Sequence, residues 1–323
     1  MATQMPLCAT STTPPASDFA ADVLAGLASR PKRIASKYFY DAEGSALFER
    51  ICAQPEYYPT RTELAILRDC GDELAAAIGP RARVVEYGSG SGLKTALLLG
   101  ALVDPVAYVP VEISRSALRG SVESLESEFP GIEITPLRAD FTVDLVLPPT
   151  RRMPERTVVF FPGSTLGNFE TRQATALLAT MRANMGPRGL AVVGIDLLKD
   201  PAIIEAAYND AAGVTAEFTL NLLARINREL GADFKLAQFR HRAIFNPLAG
   251  RIETHVVSRI DQHVRVAGQS FHFAAGEAML VEYSCKYSQS GFARIAAAAG
   301  LRVVRTWTDA QDWFAIELLE RAG

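Results

Sequence analysis

Three acidic residues, each closing an extended run, are the part of this sequence best suited to holding a polar ligand. They are Glu86 after Val84-Val85, Glu112 after Ala107-Tyr108-Val109-Pro110-Val111, and Asp140 after the run from Ile132 to Ala139. Glycines at every second position, Gly88, Gly90 and Gly92, follow the first acid, and Lys94-Thr95-Ala96-Leu97-Leu98-Leu99 then begins a helical pattern. The local reading is a strand, a tight turn and a helix N-terminus. Glycines let the backbone approach a ligand, and the N–H groups of the helix's first turn stand free beside it. Such a turn by itself fits a generic connection as well as a cofactor site. Carboxylates at the tips of consecutive strands converge on one crevice, where Glu112 can accept hydrogen bonds from both hydroxyls of a ribose.

The spacing separates two kinds of nucleoside ligand. A dinucleotide turn is G-x-G-x-x-G, whereas this one is G-x-G-x-G with an acid before it. It resembles the first motif of Rossmann-like S-adenosylmethionine methyltransferases, and Asp140-Phe141 resembles the pair that holds the adenine there. A nucleotide-dependent oxidoreductase or a non-catalytic cofactor-binding module is the rival class. Binding of S-adenosylhomocysteine against nicotinamide dinucleotides separates them.

A chain of 323 residues, 49% hydrophobic and 21% charged, has the balance of one large or two ordinary globular domains. The net charge of -3 shows no excess of Lys and Arg, which argues against a nucleic-acid partner. Cys8, Cys52, Cys70 and Cys285 are scattered and His241, His255, His263 and His272 form no H-E-x-x-H, so reduced cysteines and no metal site are expected. Residues 1–18 lack the basic start and apolar core of a signal peptide and read as a flexible tail. The longest apolar stretches, such as 95–103, are too short to span a bilayer, and a cytoplasmic protein with no membrane contact, compatible with a monomer, is expected.

Between the tail and the glycine turn lie aromatic residues beside prolines. Tyr40 and Tyr57 carry hydroxyls that would be costly to bury without partners, and a polar ligand can supply them. The pieces Phe39-Tyr40-Asp41, Gly44-Ser45, Leu47-Phe48 and Pro55-Glu56-Tyr57-Tyr58-Pro59-Thr60 resemble the N-terminal signature of the histidine Nα-methyltransferases of ergothioneine biosynthesis. Phe160-Phe161-Pro162-Gly163-Ser164-Thr165-Leu166-Gly167-Asn168 and Gly194-Ile195-Asp196-Leu197-Leu198-Lys199-Asp200 are similar to later motifs of that family. So are Ala207-Tyr208-Asn209-Asp210, Asn227-Arg228-Glu229-Leu230 and Glu282-Tyr283-Ser284-Cys285-Lys286-Tyr287, in the family's order.

Read from the residues, Thr157-Val158-Val159-Phe160-Phe161 is a buried parallel strand, which puts Asn168 at the carboxyl edge of the sheet; a lone Asn after Gly is otherwise a turn or helix cap. After the strand 190–197 the βα alternation stops. Helical sequence then runs to about Leu230, and the strand-like runs 251–260, 263–266 and 269–273 follow. A helix over 292–299 and strands at 302–307 and 314–320 read as an antiparallel end of the main sheet. These readings make the fold class α/β, and the resemblance implies a Rossmann-like class I methyltransferase fold of 61–197 and 286–323 with a second, smaller α+β substrate domain of 19–60 and 198–285.

The resemblance implies roles one residue at a time. S-adenosyl-L-methionine would be held by Gly88, Lys94, Glu112, Asp140 and Phe141, with Glu112 standing where the family frequently has Asp. L-Histidine would meet Tyr40, Tyr57, Asn168, Tyr208, Glu282 and Ser284. Asn168 and Tyr208 would donate to the α-carboxylate, and Glu282 and Ser284 would pair with the imidazole. Thr254 replaces a larger apolar residue, commonly Met, which implies a roomier pocket, and Tyr283 replaces a smaller apolar one. The implied reaction is trimethylation of the α-amine to hercynine, with no dedicated catalytic base assigned; the alternative is a family member acting on tryptophan, tyrosine or another aromatic amine.

Overall fold

The computed structural model describes residues 16–323 apart from Ser91, Ser114 and Asp144, and only the backbone of 16–18, 115–117 and 119–121. Most of the expected tail, and Cys8, lie outside the described residues. Helices α1 (Ala16–Ala28), α2 (Ala42–Cys52) and α3 (Tyr58–Ile78) come first. There follow β1 (Ala82–Tyr87), α4 (Leu93–Ala101), β2 (Ala107–Val111), α5 (Arg115–Glu128), β3 (Glu133–Ile134), β4 (Arg156–Phe161), α6 (Thr171–Asn184) and β5 (Leu190–Asp196). Helices α7 (Pro201–Ala206) and α8 (Val214–Leu230) lead to β6 (Phe239–Asn246), β7 (Arg251–Ser258), β8 (Gln262–Val266), β9 (Gln269–Phe273) and β10 (Ala278–Cys285). The chain ends with α9 (Gln289–Ala298), β11 (Leu301–Thr308) and β12 (Phe314–Arg321).

Seven strands form one sheet in the order β3-β2-β1-β4-β5-β12-β11, parallel from β3 to β5, with β12 antiparallel to both its neighbours. Alternation along the strands divides the core. Val84, Val158 and Val192 face α3, whereas Val85, Val159 and Ala191 face α6 and α9. A third apolar cluster joins Phe19, Phe39 and Tyr58 near the N-terminus to Phe218 and Leu222 on α8 and to Val256 and Val281 of a separate three-stranded sheet, β10-β7-β6.

Two expectations differ in extent. The run 132–139 is strand only at Glu133–Ile134, with Leu137 forming a lone bridge to Val111; Pro136 between them has no N–H to give the ladder. Strand β6 does not show in the sequence pattern, because Arg240, His241 and Arg242 interrupt its apolar alternation. No described helix is long and apolar enough to cross a membrane.

Glu317 on β12 carries a test of the sheet's electrostatics. It is 1% exposed, accepts the Thr306 hydroxyl at 2.6 Å, and its Oε1 has no partner among the described residues. Burial raises its pKa to about 7. The native state therefore keeps a proton that the unfolded chain gives up near pH 4.5, so stability falls as pH rises between the two values. The difference is worth about 3 kcal/mol once Glu317 is ionised. Glu86, which burial raises to about 8, acts in the same direction. Thermal unfolding should show Tm falling from pH 5 to pH 8, and Glu317→Gln should flatten that fall; an equally steep fall in the variant would refute this account.

Candidate active site

The carboxyl ends of β1, β2 and β4 open onto a cleft of about 1510 Å³ lined by Glu86, Gly88, Gly90, Lys94, Glu112, Asp140 and Phe141. The turn after β1 needs its glycines: Gly88 and Gly92 both sit at φ 76°, in the left-handed region. A Cβ at Gly88 would meet only the Phe141 ring, at 3.8 Å, and one at Gly90 would meet nothing within 4 Å. The space beside this backbone thus belongs to the cleft, and the residues around it fit a nucleoside. Glu112 stands half-buried just past β2. Asp140 Oδ1 accepts the Thr142 N–H and hydroxyl at 2.9 and 2.6 Å, which fixes the carboxylate on the cleft wall. The Phe141 ring stacks on Tyr87 with centroids 5.3 Å apart and meets Phe161 edge-on.

Lys94 is on the same wall, but its ammonium reaches Glu63 Oε2 at 2.5 Å. Glu63 is 1% exposed on α3 and also accepts the Gly163 N–H at 2.9 Å. The pair ties the start of α4 to the turn after β4. Gly194 makes room for it, since a Cβ there would stand 2.3 Å from Glu63 Oε1. Glu86, behind the glycines, accepts the Thr95 hydroxyl at 2.6 Å and that of Tyr108.

A smaller chamber of about 60 Å³ shares Tyr40, Tyr57, Asn168 and Glu282 with the cleft and adds Tyr208, Ser284 and Asp196. The six residues proposed for an amino acid are thereby brought to one place: Tyr40 and Tyr57 from just before α2 and α3, Asn168 from the turn after β4, Tyr208 from just after α7, and Glu282 and Ser284 from β10. Asn168 ends the 3-10 turn Thr165–Asn168 and makes no side-chain hydrogen bond to a described residue. It does not cap α6, whose N-cap is Glu170 in a reciprocal capping box with Gln173. Gly167 lets this turn lie against β10: a Cβ there would stand 2.7 Å from the Cys285 carbonyl oxygen.

The hydroxyls of Tyr40 and Tyr57 have no hydrogen-bond partner among the described residues. Burial first, then neighbouring acids and phenols, holds both pKa values well above the ordinary tyrosine range, so both are neutral phenols. Their rings stand in an aromatic wall with Phe48 and Phe218.

Glu282 faces this wall and not solvent. A register shift lies between Leu280 and Glu282 on β10, and from Glu282 the strand runs regularly to Ser284, which shares its face and the chamber. Burial raises its carboxyl to about 7, against the pull of Lys286 and the Thr254 hydroxyl. Thr254 lies opposite it on β7, is 1% exposed, and has its Oγ1 3.4 Å from Glu282 Oε2. Thr254 therefore supports Glu282 from behind and is not a wall of the cleft, so the substitution changes the carboxylate's backing. Tyr283 lines the cleft, with the Arg251 guanidinium 3.6 Å from its ring centroid.

Behind the chamber lies a buried polar network whose pairing no local sequence pattern marks. Asp196, 1% exposed at the end of β5, accepts from Tyr58 at 2.8 Å, Lys199 at 2.5 Å and Lys286 at 2.7 Å. Its N–H donates to Ser164 Oγ at 2.9 Å, and Ser164 is held at φ 56° directly after Gly163. Burial lowers the pKa of Lys199; for Lys286 burial acts the same way but Asp196 and Tyr208 outweigh it and hold the ammonium charged. His241 anchors Tyr208 from another side, one ring nitrogen 2.9 Å from the Tyr208 carbonyl oxygen and the other 2.9 Å from the Thr219 hydroxyl. Asp196 closes a strand as Glu86 and Glu112 do, a signal that could have marked it. Nothing local pairs it with Lys286.

The strand order, the G-x-G-x-G turn after β1 and the acid after β2 define a Rossmann-like class I methyltransferase. The chain belongs to the family of histidine-specific, S-adenosylmethionine-dependent methyltransferases, whose model matches residues 19–321. It is 43% identical over 307 residues to the histidine N-alpha-methyltransferase of Mycolicibacterium smegmatis, covering 93% of this chain and 94% of the relative. Identity to the histidine N-alpha-methyltransferase of Mycobacterium tuberculosis is 40% over 302 residues, 92% of this chain and 93% of the other. The 4-dimethylallyltryptophan N-methyltransferase of Epichloe festucae var. lolii is 26% identical over 315 residues, 89% and 90% of the two chains. The protein is thus an enzyme that uses S-adenosylmethionine.

Proposed function

We propose that this enzyme transfers three methyl groups to the α-amine of L-histidine, forming hercynine on the route to ergothioneine. One observation carries the reading: a single chamber has hydrogen-bond donors at Asn168 and Tyr208 and a half-buried carboxyl at Glu282, and it shares its walls with the glycine-lined cleft. Relatives of 40 and 43% identity that bear the name of histidine N-alpha-methyltransferase support it. The segments 19–60 and 198–285 act as the substrate domain and 61–197 with 286–323 as the cofactor domain. A cytoplasmic enzyme with one small-molecule substrate completes the reading.

S-adenosylmethionine supplies an electrophilic methyl on a sulfonium when bound. Gly88 and its neighbours, Glu112, Asp140 and Phe141 would hold it, with Lys94 joining that wall to Glu63. Asn168 and Tyr208 donate to the substrate α-carboxylate, and Glu282 and Ser284 take the imidazole. Tyr40 and Tyr57, as neutral phenols, are placed to accept N–H bonds from the α-amine and turn its lone pair toward the cleft. The chain's main task is alignment. An α-amine with an ordinary pKa of about 8 is partly neutral at physiological pH, so no dedicated base is assigned.

Mass spectrometry after incubation with histidine and S-adenosylmethionine should show addition of three methyl groups to the α-nitrogen. Trimethylation of tryptophan or tyrosine with histidine untouched would replace this reading. Asn168→Ala should weaken histidine binding by about tenfold, the value of one hydrogen bond to a charged group, with cofactor affinity kept. Equal loss of both ligands in calorimetry would return Asn168 to a structural role.

A further inference from the structure

The three protons of the Lys286 ammonium are all directed. They point at Asp196 Oδ2 at 2.7 Å, Ser284 Oγ at 2.8 Å and the Tyr208 hydroxyl at 2.9 Å. The ammonium is fully buried and none of these partners can donate to it. Each hydroxyl oxygen therefore accepts one bond from Lys286. The two oxygens are also 2.6 Å from one another, a separation that requires one proton between them. Two hydroxyls carry two protons, and one is used between them. The pair thus presents one proton to the chamber, from Tyr208 or from Ser284 but not from both.

The consequence reaches the substrate and rests on the reading that it is histidine. If Tyr208 donates to the α-carboxylate, the Ser284 proton must lie on the Tyr208 oxygen, and Ser284 faces the chamber with a lone pair. Glu282, the other group assigned to the ring, is an acceptor when ionised. We propose that Lys286 is a positioning residue that makes Tyr208 and Ser284 a one-proton donor, so that the imidazole is held through both of its N–H groups, by Glu282 and by Ser284. The ring is then bound as imidazolium, and the site distinguishes histidine by two donors set at fixed positions and not by aromatic shape. The second cation, Lys199, bonds Asp196 and Tyr58 and leaves the hydroxyl pair to Lys286.

The test is nitrogen NMR of ring-labelled histidine bound to the enzyme with S-adenosylhomocysteine at pH 8, above the ordinary ring pKa of about 6.5. The parent should show both ring nitrogens protonated. Lys286→Met frees the two hydroxyls to part and donate separately, so the bound ring should become neutral and the Kd for histidine should rise about tenfold, with that for S-adenosylhomocysteine kept within about twofold. Ser284→Ala should also weaken histidine about tenfold, and with the parent spectrum it decides the matter if Lys286→Met does not fold. A neutral ring in the parent, or a Lys286→Met enzyme with the parent's affinity and a doubly protonated ring, overturns the role of Lys286 while leaving histidine as substrate. A parent that does not bind histidine overturns the functional reading and this inference together.

Discussion

Glu282→Ala is expected to lower kcat/KM for histidine by about ten- to a hundredfold, the value of a hydrogen bond between a charged group and its partner, roughly 1.5–3 kcal/mol. Glu282 is the one carboxylate shared by the cleft and the inner chamber that is raised to about 7 by burial, a state that an N–H donor from a substrate relieves. An aromatic side chain that cannot place an N–H where the imidazole's lies leaves that carboxylate unpaired, which penalises it in the parent. Tryptophan should therefore lose little or gain in the variant. The Thr254 hydroxyl, left beneath the vacated position, keeps the new floor polar and limits the gain. Methylation of histidine and tryptophan by parent and variant under one condition is the measurement. A parallel fall for both substrates would assign Glu282 to structure and reopen the choice among aromatic amines.

Glu112→Ala is expected to weaken S-adenosylhomocysteine by a similar factor, about ten- to a hundredfold, through loss of charge-assisted hydrogen bonds to the ribose. Its place past the tip of β2, beside the glycine turn whose Gly88 N–H donates to the Val111 carbonyl at 2.8 Å, carries the expectation. Histidine binding to the cofactor-free enzyme should change much less, because the inner chamber is built from other residues. Calorimetry with each ligand separates the two effects. Unchanged affinity for S-adenosylhomocysteine would rule out the ribose assignment.

Much of this architecture is legible in the linear chain because its causes are local. Apolar runs of the right length at 84–87, 107–111, 157–161 and 190–196 make buried parallel strands, and a residue that closes such a run stands at the ligand edge of the sheet. That rule puts Glu86 and Glu112 at the cleft, and the turns after β3 and β4 bring Asp140 and Asn168 to it as well. The resemblance in separated motifs then named the family, which the match over 19–321 shows. The rule overreached at 132–139, where Pro136 breaks the ladder, and it missed β6, whose charged residues disguise a strand paired along its whole length with β7.

The amino-acid sequence by itself determined the sheet, the glycine turn and the strand-end acids, and the resemblance picked out six residues that line one inner chamber. Only the tertiary structure decided which of them touch. Asp196 and Lys286 are ninety positions apart yet form a buried pair; Glu63 and Lys94 join α3 to the start of α4 beneath the cleft wall; and Thr254 stands behind Glu282 because β7 and β10 pair in one register with a shift beside it. The physical reason is that side-chain periodicity fixes which face a residue takes within its own element, whereas its partners follow from register and packing between elements distant in the chain. Glu282 shows the difference most plainly: a charge on an amphipathic strand ordinarily meets water, and the packing of β10 against the aromatic wall makes its face, with Ser284 two residues on, part of the inner chamber.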